Sequence, residues 1–187
     1  MRSDRLRCRR KQSAVLVVDV QERLHPVMEE GLRGQVEANL PRLLQAASAF
    51  GVPVIATEQY PKGLGPTLGL VKEHLGPLAP IPKLSFDALG EPRIEQALLA
   101  SERGSFVVCG MEAHICVFQT VRSLRERGHP VFVLADAVAS RTRQNHEIGL
   151  SLAREAGALV TSTEALLFDW VGAGGTDDFK LVSRLVR

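Results

Sequence analysis

At 187 residues the chain is long enough for one α/β domain with a sizeable core, and no second domain is required. Its 45% hydrophobic and 24% charged residues are ordinary for a globular fold, and a net charge of +2 gives no reason to expect nucleic acid or an anionic membrane as partner. No apolar run reaches membrane-spanning length, and an odd count of three cysteines (Cys8, Cys109, Cys116) in a chain that needs no staples fits a reduced cytoplasmic setting.

In chain order, Arg2, Arg5, Arg7, Arg9, Arg10 and Lys11 make residues 1–12 a basic tail of a single domain that spans residues 1–187. No aromatic residues interleave those charges, so the tail reads as solvated rather than as an RNA-binding patch. Six short β-branched runs follow: Ala14–Asp19, Val52–Thr57, Ile81–Lys83, Phe106–Gly110, Val131–Ala135 and Ala158–Thr161. Amphipathic stretches separate most of them, at Val36–Phe50, Arg93–Ala100, Val117–Arg127 and Gln144–Glu155, and Thr163–Trp170 comes after the last. This alternation predicts a three-layer α/β/α domain around a six-stranded, mainly parallel sheet. The first run is apolar without alternation, as a strand covered on both faces must be. At Gly51, Gly128 and Gly157 a helix pattern stops and a strand begins almost at once. The tail Phe179–Arg187 is too apolar to stand in water, so it should dock on its own domain or on a neighbouring subunit.

Open parallel sheets bind ligands beyond the carboxyl ends of their strands. Three polar residues fall there: Asp19 at the end of the first strand, Lys83 at the end of the third, and Cys116 in the first turn of the helix after the fourth. Each has a plain alternative, since Asp19 can cap a helix, Lys83 can be a loop lysine and Cys116 a small packed side chain. A helix N-terminus favours thiolate over thiol, which would make Cys116 reactive.

The segments Val18-Asp19-Val20-Gln21, Pro82-Lys83-Leu84-Ser85-Phe86, Gly110-Met111-Glu112-Ala113-His114-Ile115-Cys116-Val117 and Asp136-Ala137-Val138-Ala139-Ser140-Arg141 resemble the isochorismatase-like cysteine hydrolases. The resemblance runs from about Ser13 to the C-terminus, and Thr57–Gly65 and Phe179–Val182 are most similar to the isochorismatase domain-containing subgroup. It implies a triad of Cys116 as nucleophile, Asp19 as base and Lys83 as electrostatic partner. It also implies a cis peptide at Met111–Glu112, which aims the Glu112 and Cys116 N–H groups at one point as an oxyanion hole, and a homo-oligomer. Gln21, Leu24, Gln59, Tyr60, Phe86, Glu112 and His114 are the candidates for substrate binding around that triad. Phe86 is equally well a core residue, and His129 reads as a surface turn.

Nicotinamidases of this family carry an Asp-x-His metal motif after the second strand, whereas this chain has Gln59-Tyr60-Pro61. His25, His74, His114, His129 and His146 are scattered, so no metal and no other cofactor is expected. The reading is a metal-independent hydrolase of a C–N bond in a small amide or ureide. Two alternatives stay open within the fold, a non-catalytic oligomeric scaffold and an ether hydrolase of the isochorismatase type. A third, thiol–disulfide exchange between Cys109 and Cys116, has poor spacing for a disulfide.

Overall fold

A strand that is apolar on both faces has to sit inside a sheet, and the first strand does. In the computed structural model, which describes residues 6–75 and 79–187, six parallel strands stand in the order β3-β2-β1-β4-β5-β6. They are β1 (Ser13–Val18), β2 (Val54–Gln59), β3 (Ile81–Lys83), β4 (Ser105–Met111), β5 (Val131–Ala139) and β6 (Leu159–Thr161). Between and after them come α1 (Glu30–Ala49), α2 (Pro61–Leu64), α3 (Gly69–Lys72), α4 (Pro92–Ala100), α5 (Phe118–Glu126), α6 (Arg143–Glu155), α7 (Thr163–Val171) and α8 (Asp177–Leu185).

Alternation along each central strand divides the core in two. Val15, Val17, Val107, Cys109 and Phe132 pack under Leu40, Leu43 and Leu44 of α1, Leu166, Leu167 and Trp170 of α7 and Val182 of α8. Leu16, Val18, Phe106, Val108 and Val133 face the other way, against Ile94 and Leu98 of α4, Val121 and Leu124 of α5 and Ala153 of α6. Burying a Val, Leu, Ile or Phe side chain is worth about 1.5–3 kcal/mol, so these two layers outweigh any single polar contact described below.

The departures from expectation are local and have causes. Helix α1 begins six residues before the Val36 start because Glu29 caps it by accepting from Leu32 N; Gly31 and Gly34 had hidden that turn. Strand β5 runs to Ala139 rather than Ala135, through a register shift against β4. The basic tail is not simply solvated: Cys8 is 1% exposed and donates its N–H to Asp169, while Arg10 pairs with Asp178 and lies over the Phe50 ring at 4.9 Å. Arg2 and Arg5 lie outside the described residues. The C-terminal segment forms α8 and docks on its own domain through Val182, with Leu185 and Val186 beside it.

From β1 the chain builds outward to β2 and β3, then returns to the other side of β1 for β4. The strand order therefore reverses between β1 and β4, which opens a crevice at their carboxyl ends. Gly110 lets the two strands close there, because a Cβ at this position would lie 2.0 Å from the Val18 carbonyl oxygen.

Candidate active site

Asp19 follows β1 with φ of 52°, a left-handed conformation that turns the chain away from the sheet and leaves the carboxylate at its edge. The Thr57 hydroxyl on β2 fixes it, donating to Asp19 Oδ1 at 2.6 Å and accepting from Asp19 N at 3.3 Å. Lys83 reaches the same carboxylate from β3, with Nζ 2.7 Å from Oδ2. Asp19 is 0% and Lys83 2% exposed, and a buried ion pair is tolerable only where the spare donors and acceptors are also satisfied. They are: Lys83 Nζ donates further to Gln59 Oε1 at 2.7 Å and to the Ser85 and Phe86 carbonyls at 3.2 and 3.3 Å.

Beyond β4 the Met111–Glu112 peptide is cis, and residues Ala113–Val117 form a π-helical turn before α5 begins. Both Ile115 N and Val117 N donate to the Glu112 carbonyl, so the turn wraps around it. Cys116 lies in this wider turn rather than in the first turn of an α-helix. It keeps 6% of its surface and lies near enough to Asp19 and Lys83 to feel both charges. Its thiol is pushed up to about 12, by burial first and then by the negative charge of Asp19, with Lys83 opposing. That reverses the expectation of a stabilised thiolate, because desolvation and a neighbouring carboxylate outweigh the helix terminus. The resting form is a thiol beside a carboxylate.

The expected pocket-wall residues divide into two kinds. Some are committed to holding the site. Gln21 is 0% exposed and spends its amide on the backbone: Nε2 donates to the Gln59 and Gly65 carbonyls, and Oε1 accepts from Gln59 N. Gln59 donates to the Leu84 carbonyl while accepting from Lys83, tying the ion pair to the loop after β3. Glu112 accepts from both N and Nε of Arg141. Others sit at the surface. Tyr60 is 52% and Phe86 54% exposed, so Phe86 is not core, while Leu24 is half-buried against the α1 layer. His114 is half-buried, with Nδ1 3.0 Å from Ser140 Oγ, and burial lowers its pKa.

Sequence reasoning missed Thr57. The available signal was its spacing from Gln59: residues two apart on one strand share a face, and both serve the Asp19–Lys83 pair. It also missed Gly149 of α6, where an added Cβ would lie 2.6 Å from the Ala113 carbonyl carbon, so α6 packs directly on the turn that carries Cys116. All three cysteines are free thiols. Among the described residues no group of three or more His, Cys, Asp or Glu gathers as a metal site.

The fold and this geometry define a doubly wound α/β domain whose polar groups converge where the strand order reverses. An isochorismatase domain model matches residues 13–165, and the chain belongs to the isochorismatase family. It is 35% identical to isochorismatase domain-containing protein 2 of Danio rerio, over 94% of this chain and 87% of that protein. Among solved structures it is similar to one described as the MAR1 ribonuclease of Caenorhabditis elegans, with a TM-score of 0.88, 35% identity, and coverage of 96% of this chain and 92% of that one. The Escherichia coli YcaC gene product, described as an octameric hydrolase of unknown specificity, shares the fold at a TM-score of 0.90 and 21% identity, over 96% of this chain and 89% of that one.

Proposed function

We propose that this hydrolase opens a C–N bond of a small amide or ureide through a Cys116 thioester, with Asp19 as the proton carrier and Lys83 as the fixed countercharge. The observation that carries the reading is a carboxylate clamped by a buried ammonium at 2.7 Å, with the Cys116 thiol near enough for both charges to act on it. As Sγ attacks the carbonyl carbon, its proton passes to Asp19, so no free thiolate has to form first. Asp19 then gives that proton to the departing nitrogen, the C–N bond breaks and the amine leaves. In the second half Asp19 takes a proton from water, the resulting hydroxide attacks the thioester carbon, and Cys116 leaves and recovers its proton from Asp19. The Glu112 and Cys116 N–H groups serve as the oxyanion hole in both halves.

Exposures of 0–6% at the three reacting groups suit a small acyl group better than a polymer, so the activity stated for the nematode neighbour is not carried over. A buried, fully hydrogen-bonded ion pair beside a thiol also favours chemistry over a scaffold role. A thiol that the carboxylate can deprotonate favours C–N cleavage over ether cleavage, which needs an acid but no sulfur nucleophile. Tyr60 and Phe86, exposed at the ends of β2 and β3, supply flat surfaces against which the acyl group stacks, and Leu24 and His114 complete the wall. No metal or cofactor enters the scheme.

The proposal extends to assembly and setting. The E. coli neighbour is described as octameric, which supports a homo-oligomer here. Three free thiols support a reducing compartment, the cytoplasm, and among the described residues no helix is long and apolar enough to cross a membrane. Light scattering giving 20.4 kDa at micromolar concentration would remove the oligomer. For the activity, a panel of small amides and ureides is assayed for amine or ammonia release, with Cys116→Ala as control. Turnover of at least one member, absent in the variant, is expected. Release that persists in Cys116→Ala, or turnover confined to vinyl ethers, overturns the reading.

A further inference from the structure

Helix α5 carries two buried hydroxyls, Thr120 and Ser123, three residues apart and so on one stripe of the helix. A serine or threonine inside a helix ordinarily bonds back to its own backbone. These two reach another segment instead. Thr120 Oγ1 accepts from Ala88 N at 2.9 Å, with both residues fully buried, and Ser123 Oγ donates to Asp87 Oδ2. Beside these bonds, Ala88 and Leu89 pack in the same apolar layer as Val121 and Leu124 of α5. The loop after β3 is thus pinned to α5 by two hydrogen bonds and a patch of core.

The same loop holds Lys83. Its Ser85 and Phe86 carbonyls accept from Nζ at 3.2 and 3.3 Å, and its Leu84 carbonyl holds Gln59, whose Oε1 is a further acceptor for Nζ. Within the loop the Ser85 hydroxyl donates to the Asp87 carbonyl at 2.7 Å, and Asp87 Oδ1 accepts from Leu89 N at 2.9 Å, so the segment is braced internally. In the sheet, β2 and β1 stand between β3, which ends at Lys83, and β4, which leads to Cys116. Across the loop the link is direct. It runs from Lys83 through the Ser85 and Phe86 carbonyls to Asp87 and Ala88, and from there to Thr120, four residues and about one helical turn past Cys116. The helix that continues from the thiol's turn therefore also fixes the ammonium.

We propose that Thr120 and Ser123 are positioning residues: by anchoring Ala88 and Asp87 they hold the Lys83 ammonium in register with the Cys116 thiol. This role rests on the Asp19–Lys83–Cys116 reading, but its test needs no amide substrate.

The readout is alkylation of Cys116 in the full-length protein by iodoacetate and by iodoacetamide, followed by mass spectrometry at one alkaline pH. The reagents differ in charge and little in size. The ratio of their rates therefore reports the cation beside the thiol, whereas a change in access moves both rates together. Thr120→Val keeps the shape of the side chain and leaves Ala88 N without its acceptor, and Ser123→Ala releases Asp87. Each should lower the iodoacetate-to-iodoacetamide ratio about threefold or more, and Thr120→Ser, which keeps the acceptor, should restore it. Lys83→Met should lower the ratio at least as far, and adding Thr120→Val to it should change the ratio no further. On an amide substrate, Thr120→Val should lower kcat about tenfold with KM little changed. A ratio unchanged in both α5 variants, or lowered as much by Thr120→Val in the Lys83→Met background as in the parent, refutes the positioning role. Lowered ratios in a protein that hydrolyses no amide support the positioning and remove the reaction instead.

Discussion

Cys109 in β4 and Cys116 in the turn that follows it are almost equally shielded, at 0% and 6% exposure, yet they are different chemical groups. Burial raises both thiols, and for Cys109 burial is the only cause, because its strand places it between two apolar layers; its one polar contact is a weak one, to the Leu16 carbonyl. Cys116 adds a carboxylate that holds its proton and an ammonium that opposes the shift. Low exposure therefore says nothing about reactivity here. What separates the two thiols is whether something nearby can accept the proton when it leaves.

The sharpest break of that comparison is deletion. Cys116→Ala should abolish turnover on any amide substrate, while Cys109→Ala should leave kcat nearly intact and lower stability by about 1–2 kcal/mol through the small cavity it creates, read from denaturant melts. Loss of kcat in the well-folded Cys109 variant would mean that the wrong thiol has been named.

Asp19→Asn tests the proton acceptor, and its two effects have opposite signs. Turnover should fall by about 10²–10⁴-fold because the base is gone. Iodoacetamide should meanwhile label Cys116 faster at pH 8, since the negative charge that raises its pKa has been removed. If labelling slows along with turnover, Asp19 is not what holds the thiol proton.

Alkaline titration probes what the two cysteines share. Unfolded thiols lose their protons near the ordinary 9.0, while native Cys116 keeps its own to about 12 and Cys109 beyond that. Between those values the unfolded chain binds fewer protons than the native one, so stability falls as pH rises, whereas below pH 9 the contribution is fully present. The slope should approach about 1.4 kcal/mol per pH unit for each thiol, and it should become shallower in Cys109→Ala. A flat stability profile from pH 9 to 11 would contradict the burial-driven shifts.

The smallest effect is one of order. In the native protein at pH 9 iodoacetamide should reach Cys116 before Cys109, which should react only as the chain unfolds. Mass spectrometry that finds Cys109 modified first would reverse the assignment.

The sheet was legible because β1 and β4 are apolar on both faces and glycines mark the joints; strand existence follows from such patterns even where boundaries move by a few residues. Asp19, Lys83 and Cys116 were legible as strand-end polar residues because topology alone carries them to one edge. Their support was not. Gln21 looked like a pocket residue until its amide was found bonded to the Gln59 and Gly65 backbone, a pairing set by loop geometry that no local pattern encodes. The direction of the Cys116 shift escaped for a similar reason: helix-terminus arguments are local, whereas desolvation and the Asp19 charge arise from segments far apart in the chain.

Gly149 turns the packing of α6 into a matter of remote control. Its missing side chain lets that helix close on the backbone of Ala113, three residues ahead of Cys116. A methyl group there would press on the turn that carries Cys116 from behind, without altering any charged residue. Because the opposing atoms are backbone and cannot swing aside, the strain would be shared between helix and turn, and such a variant should lose stability together with any turnover. The turn that carries Cys116 is thus supported from the α6 layer, by a residue thirty-three positions downstream.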